Sequence, residues 1–485
     1  MLRKLLATLA IIIASTSARA QDPWLHLYYP DGSNYQAFDM NEVLEINFDE
    51  LTGTMTINGI NGASKAFAKS LDHFEINPNV AALFIDTDNA DITEITSKVV
   101  YEDATLTFKG RGLQPDYSER VKIRGRGNST WSYSKKPYRL KFSEKQRLLL
   151  PKKAKNFALL ANYIDPSMMR NFVAFKFGQI IGMPWINHCE PVDVYLNGIY
   201  KGSYMITEKV GFNNGSVNLK AADEPNSIML ELDTNGHTDD DIYFESNYYD
   251  SDNGYYFPVI VKDPDAPEDP DEKETWINGW IADFDRFMEV VDSGSEDAIF
   301  EACDLESLVR FMMVFDICCN QEIDHPKSVF VYKTRGGKWN FGPCWDFDWA
   351  FGYSPTYSKG SNGWWGQHSE SYETPLRGLG GNGNPIDGHA GVFFYKLCRT
   401  EAFQKRFKEL WNEFYLNQIN EFWDEFDAYA ERLRPSANLQ GLTRSQYQKF
   451  DTNVEELRQW VANRFEYINT DANHGLWESN TFSKF

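Results

Sequence analysis

Two carboxylates set two residues apart among aromatic side chains restrict this chain more than any other feature. They stand in the run Gly337-Lys-Trp-Asn-Phe-Gly-Pro-Cys-Trp-Asp-Phe-Asp-Trp-Ala-Phe-Gly352, where Trp345, Phe347, Trp349 and Phe351 flank Asp346 and Asp348. The run reads as a strand that ends in the two Asp, and side chains two apart on an extended chain point the same way. Aromatic neighbours exclude water, and an unpaired buried charge is costly. A divalent cation is the simplest partner, because hard cations take oxygen ligands. Asp346 and Asp348 are therefore candidate metal ligands. Asp346 is the stronger one, since a nearby Arg or Lys would satisfy Asp348 equally well.

The chain opens with a short basic start, an apolar run and a small-x-small end at Ala18-Arg-Ala20, which predicts a signal peptide over 1–20. No Cys sits at the cleavage point, so a lipid anchor of the bacterial type is not indicated. No other apolar run is long enough to span a bilayer. The mature chain is expected to be exported, as a secreted, periplasmic or cell-surface protein without a transmembrane segment. Cleavage removes Arg3, Lys4 and Arg19, so 48 basic residues become 45 against 70 acids and the net charge moves from −22 to −25. That balance argues against a nucleic-acid-binding surface, which needs a basic footprint. Eight His without an HExxH pattern argue against a zinc hydrolase. The six Cys, at 189, 303, 318, 319, 344 and 398, show no metal-ligand spacing, and export would permit one or two disulfides.

The 485 residues suffice for more than one domain. Residues 21–78 read as a small β-rich accessory module, with strands at Trp24–Tyr29, Val43–Phe48 and Thr54–Asn58. Further strands are expected at Ala81–Asp86, Ala104–Phe108 and Glu119–Arg124, the last turning at Gly125–Ser134 into a return strand over Lys135–Phe142. Asp165-Pro166 predicts a helix start, with Asp165 as N-cap and the helix running from Met168 to about Ile181. Pro191–Glu208 reads as a hairpin about Asn197-Gly198, and Ile228–Asp233 as a strand. The stretches 275–300, 303–319 and 391–470 have helical apolar spacing. The Gly-, Ser-, Asn- and Trp-rich segment 353–390, with Trp364-Trp365, suits a long substrate-side loop.

Three further groups carry chemistry. In Arg124-Gly-Arg-Gly-Asn-Ser-Thr130 the glycines allow close backbone approach, and successive N–H groups of such a turn form an anion nest. Arg124, Arg126, Asn128 and Ser129 are placed to add charge-assisted bonds to phosphate, although an ordinary β-turn looks the same. Lys135, Lys136, Arg139 and Lys141 follow, most of them expected on a solvated face with one or two turned inward. Asn320–Tyr332 places Asp324 in a loop between a helix and a strand, 22 residues before Asp346, a phosphotransfer layout. The simpler role for Asp324 is to cap the turn before Pro326. Glu208 ends an otherwise apolar hairpin, either as a functional partner or as a surface strand end.

These runs, with Lys136-Pro-Tyr-Arg-Leu-Lys-Phe142, Asp165-Pro-Ser-Met-Met-Arg-Asn171, Val194–Glu208 and Trp345–Gly352, resemble the spore coat protein H (CotH) kinase family, in order over about 80 to 400. The resemblance implies an α+β, atypical protein-kinase-like two-lobe domain over 79–485, using ATP and Mg²⁺ to phosphorylate exported proteins. It implies that Arg124, Gly125, Arg126, Gly127, Asn128 and Ser129 cover the phosphates and that Lys136 or Lys141 grips them. Asp324 would be the catalytic-loop Asp, Asp346 and Asp348 would hold metal, and Glu208 would lie at the nucleotide. Arg170 and Asn171 match a helix motif whose role stays open. One departure is Ser328, which stands where many relatives carry an Asn. The rival from another class is a pseudokinase-like surface protein that binds glycans or proteins. An Asp-x-Asp glycosyltransferase ranks below both, because the chain lacks repeated βα units.

Overall fold

The computed structural model describes residues 23–28, 35–40, 42–49, 54–67, 73–78, 80–111, 113–219, 226–233, 241–250, 255–293, 295–323, 326–352 and 389–471. The leader expected over 1–20 and the loop bearing Trp364-Trp365 lie outside them. The fold is mixed α+β and forms two compact units. One comprises residues 1–124, 191–204 and 431–448; the other comprises 125–190, 205–430 and 449–485.

The first unit is built on period-two burial. Pro23–Tyr28 pairs antiparallel with Tyr35–Asp39 on one side and His73–Pro78 on the other. Val43–Asp49, Thr54–Gly59 and Ser64–Phe67 form a second small sheet. Leu25, Leu27, Met55 and Ile57 are alternate residues of their strands and share one buried cluster. Ala81–Thr87 pairs antiparallel with Glu102–Lys109, and the latter with Tyr117–Gly125. Ala81–Thr87 also runs parallel to Val192–Leu196. Buried Asp193 ties three distant stretches of this unit together. It accepts from Tyr200 Oη at 3.0 Å and Ser436 Oγ at 3.0 Å, and pairs with Arg111 Nη1 at 3.5 Å. Burial raises its pKa, opposed by Arg111.

In the second unit, Tyr138–Gln146 pairs with Ala154–Leu160, which pairs with Met205–Glu208. A five-stranded sheet runs in the order Tyr243–Asp250, Tyr255–Asp263, Ser227–Leu232, Val329–Thr334, Asn340–Phe341. Two helices matter most for the site. Leu305–Cys318 starts at Asp304, whose carboxylate accepts from Ser307 N at 2.7 Å, and it ends at Cys319 in the left-handed region (φ +46°). Leu308, Phe311, Met312 and Phe315, the spacing that predicts this helix, are fully buried.

The other helix is Arg170–Ile180, and it starts later than the Asp165-Pro166 signal predicts. Asp165 takes the Ser167 amide at 3.0 Å and the Arg170 amide at 2.9 Å, and Met168 sits at φ +55°. Its carboxylate thus organises a turn before the helix instead of capping it directly. The six cysteines are all buried and none is joined in a disulfide, so the one or two bridges that export would permit are not made here. No described helix is long and apolar enough to cross a membrane.

Arg464 and Asp316, both fully buried, pair at 3.1 Å in the second unit. Arg464→Leu removes one member and strands the other, which costs about 3–5 kcal/mol. Urea unfolding should show that loss, and adding Asp316→Leu should recover much of it.

Candidate functional site

The Asp346–Asp348 loop lies within the second unit and is not the expected strand. Only Val331↔Phe341 and Tyr332↔Asn340 pair before the ladder stops, and Pro343, which lacks an N–H, cannot extend it. Asp346 takes a left-handed backbone (φ +64°), a conformation costly for a non-glycine residue. The two Asp therefore do not share a strand face; a left-handed residue turns the chain at the first of them.

Side chains from elsewhere hold this loop. Asn171, near the start of its helix, accepts from Phe347 N at 2.8 Å and donates Nδ2 to Asp348 Oδ1. Arg170 donates Nε to Ala350 O at 3.1 Å and pairs through Nη1 with Asp165. Asn320 donates Nδ2 to Asp346 O at 3.3 Å, and Phe351 N donates to Cys318 O at 2.7 Å. Phe347 is buried between Phe315 and Phe175, at ring-centroid distances of 5.2 and 6.3 Å. Aromatic packing and amide bonds together fix where the two carboxylates stand.

Acid is in excess here. Asp348 is buried, and its pKa is pushed up to about 8 by burial, then by Asp346 and Asp165; the Asn171 bond and Arg126 oppose this. Burial raises Asp346 as well, opposed by Arg126 and Lys327. Glu322, on the turn Gln321–Ile323, is 4% exposed and pushed far up by burial and by Asp346. Glu231 is raised by burial but pairs with Lys262 at 2.7 Å. Arg126 is the facing cation. Its guanidinium lies 5.4 Å from the centre of the Trp345 ring, with burial lowering its pKa and Asp346 and Asp348 raising it. Among the described residues no three His, Cys, Asp or Glu side chains form a ready-made metal cage. The donor set still suits a hard divalent cation: oxygen ligands, surplus negative charge and a buried, unpartnered Glu322 Oε2.

The other expected residues fall as follows. Gly125 must be glycine, because a Cβ would lie 2.2 Å from the Trp131 ring; Gly127 takes φ +86°. Asn128 and Ser129 are exposed at the tip, where Ser129–Ser132 forms a 3₁₀ turn. One amide of the proposed anion nest is used internally, Arg126 N to Pro137 O, and just past the nest Trp131 N donates to Asn128 O. Arg124 belongs to the first unit; its guanidinium bonds Lys98 O and lies 4.9 Å from the centre of the Tyr101 ring. Lys136 donates to Trp131 O at 2.6 Å, and Lys141 is exposed. Buried Lys135 donates to Ala161 O at 2.7 Å. Glu208 is fully buried; it takes the His188 amide at 2.8 Å and contacts His188 Nδ1 at 3.1 Å. Asp324 lies outside the described residues.

Sequence reasoning left the role of Asn171 open and missed Asn320, Glu322 and Lys327. Asn171 carries a signal in its motif, but no spacing rule links it to a loop 177 residues away. Glu322 stands two residues before Asp324 in a polar run, where a buried acid looks like a solvated one.

A family model described as CotH kinase protein matches residues 123–468, a span that includes Arg126, Asn171, Glu322 and both loop carboxylates. The match covers most of the chain and supports a kinase-like function. The chain belongs to the CotH kinase family. No curated protein matches it.

A raised pKa in the folded state means that the fold binds more protons than the unfolded chain between the two pKa values. Stability from that group therefore falls as pH rises. Asp348→Asn keeps an oxygen acceptor for Asn171 and removes the charge. Relative to wild type, the metal-free variant should gain thermal stability steadily from pH 4 to about 8, read as the difference in Tm. A difference that does not change with pH would contradict the burial of Asp348.

Proposed function

We propose that this chain is a secreted atypical kinase of protein-kinase-like two-lobe architecture. It transfers the γ-phosphoryl group of ATP to Ser or Thr hydroxyls of exported or cell-surface proteins, with Mg²⁺. The observation that carries this reading is the mutually repelling pair of half-buried Asp346 and buried Asp348 inside the span matched by the kinase family. A magnesium ion bound there would offset phosphate charge. Asp346 and Asp348 are the residues that would hold it. Arg126, stacked beside them on Trp345, supports the reading as a fixed cation for phosphate oxygens.

In the transfer, the hydroxyl oxygen bonds to the γ-phosphorus and the bond from phosphorus to the β–γ bridging oxygen breaks, releasing ADP. The hydroxyl proton passes to a carboxylate, a role the family resemblance assigns to Asp324. The lysines fit less well: Lys136 is bonded to Trp131 O and Lys141 faces solvent. That placement favours, as a second reading, a surface protein that binds without transferring phosphate.

With labelled ATP and a Ser/Thr-rich acceptor, Asp346→Ala should lower Mg²⁺-dependent transfer at least about 100-fold. Transfer at the wild-type rate would remove Asp346 from the chemistry. ATP with Mg²⁺ at about 100 times its Kd should stabilise the folded protein by about 2.7 kcal/mol. No shift at millimolar nucleotide would favour the non-transferring binder.

A further inference from the structure

Glu322 is the buried acid for which the fold provides no use. It is 4% exposed, and its Oε2 has no hydrogen-bond partner. A buried carboxyl oxygen left unsatisfied costs stability, so such a group marks a function or an absent ligand. Its backbone is held firmly: Glu322 N donates to Asn320 Oδ1 at 3.0 Å, and Lys327 N donates to Glu322 O at 3.1 Å. The same Asn320 donates its Nδ2 to Asp346 O at 3.3 Å. One amide side chain therefore ties the turn that carries Glu322 to the residue that bends the acid loop. Asp346 is the strongest charge acting on Glu322, and Asp233 and Asp348 add to it; Lys327 is the cation that opposes them.

The geometry points to Glu322 as a further ligand of a divalent cation shared with Asp346, its free Oε2 completing the oxygen set that the acid loop alone leaves short. This inference rests on the metal-dependent reading above and adds a residue to it. Ionised, Glu322 and Asp346 repel one another, and among the described residues no three such side chains close on an ion by themselves. The cation would remove that repulsion and satisfy Oε2 in one step.

The test is Mn²⁺ binding to the whole protein, followed by electron paramagnetic resonance of free Mn²⁺, with and without a non-hydrolysable ATP analogue. Glu322→Gln keeps the shape and removes the charge. It should weaken Mn²⁺ binding at least tenfold while the metal-free Tm stays unchanged or rises, because a strained buried acid is gone. Glu322→Asp keeps the charge on a shorter arm and should fall between the two. Equal Mn²⁺ affinity in wild type and both variants would overturn the assignment and leave Asp346 in place. No Mn²⁺ binding by wild type, with or without nucleotide, would overturn the metal-dependent reading itself. Anomalous scattering from wild-type crystals soaked in Mn²⁺ needs no variant. Density bound directly to the Glu322 carboxylate and to Asp346 is the expected result, and Mn²⁺ on Asp346 with Glu322 unbound overturns it.

Discussion

The site depends on keeping acids apart from water and close to one another. Asp348 and Glu322 are buried, and Asp346 is raised in pKa with them. Such an arrangement opposes folding unless other contacts hold it. Phe347 between Phe175 and Phe315 supplies apolar burial, and Asn171 supplies two oriented hydrogen bonds. Neutral amides suit this task better than cations would. Lysine or arginine at residue 171 would pair with Asp348 and cancel its charge. Asn171 positions the Asp348 carboxyl without pairing its charge, and burial keeps its pKa raised.

Arg126 illustrates the complementary choice. A guanidinium above an indole keeps its charge while its flat face is covered, so it stays positive in a setting where ammonium groups lose protons more readily. The glycine-rich turn that carries it is shaped by Trp131, which packs where a Gly125 side chain would be and receives Lys136 at its carbonyl. The turn is thus a rigid holder for Arg126. Gly125 answers a neighbouring ring as much as any ligand.

Much of the fold is legible in the sequence because strands and helices announce themselves by local period. The alternation of Met55 and Ile57 and the spacing of Leu308, Phe311, Met312 and Phe315 translate directly into buried faces. The acid pair and the glycine-rich turn are legible as composition. Their geometry is not. The alternating aromatic and acidic residues of 345–349 imitate a strand, whereas Asp346 takes a left-handed backbone, with Asn320 holding its carbonyl and Asn171 and Cys318 holding the chain just after it. Those three anchors lie far away in sequence, and no local rule connects them. The burial of Glu208 and Glu322 is hidden for the same reason: a charged letter reads as surface until the fold encloses it.

The Asp193 network has a consequence for the order of assembly. Its partners are Arg111, Tyr200 and Ser436, so the first unit is stitched from chain stretches that lie up to 243 residues from Asp193. A ribosome adding roughly 5–20 residues per second makes the first two well before the third. Until Ser436 arrives, Asp193 faces Arg111 and Tyr200 without its last donor, and closing so long a loop is entropically slow. Completion of this unit is therefore a late event in the life of each new chain, and truncation ahead of residue 431 would leave its oldest strands unfinished.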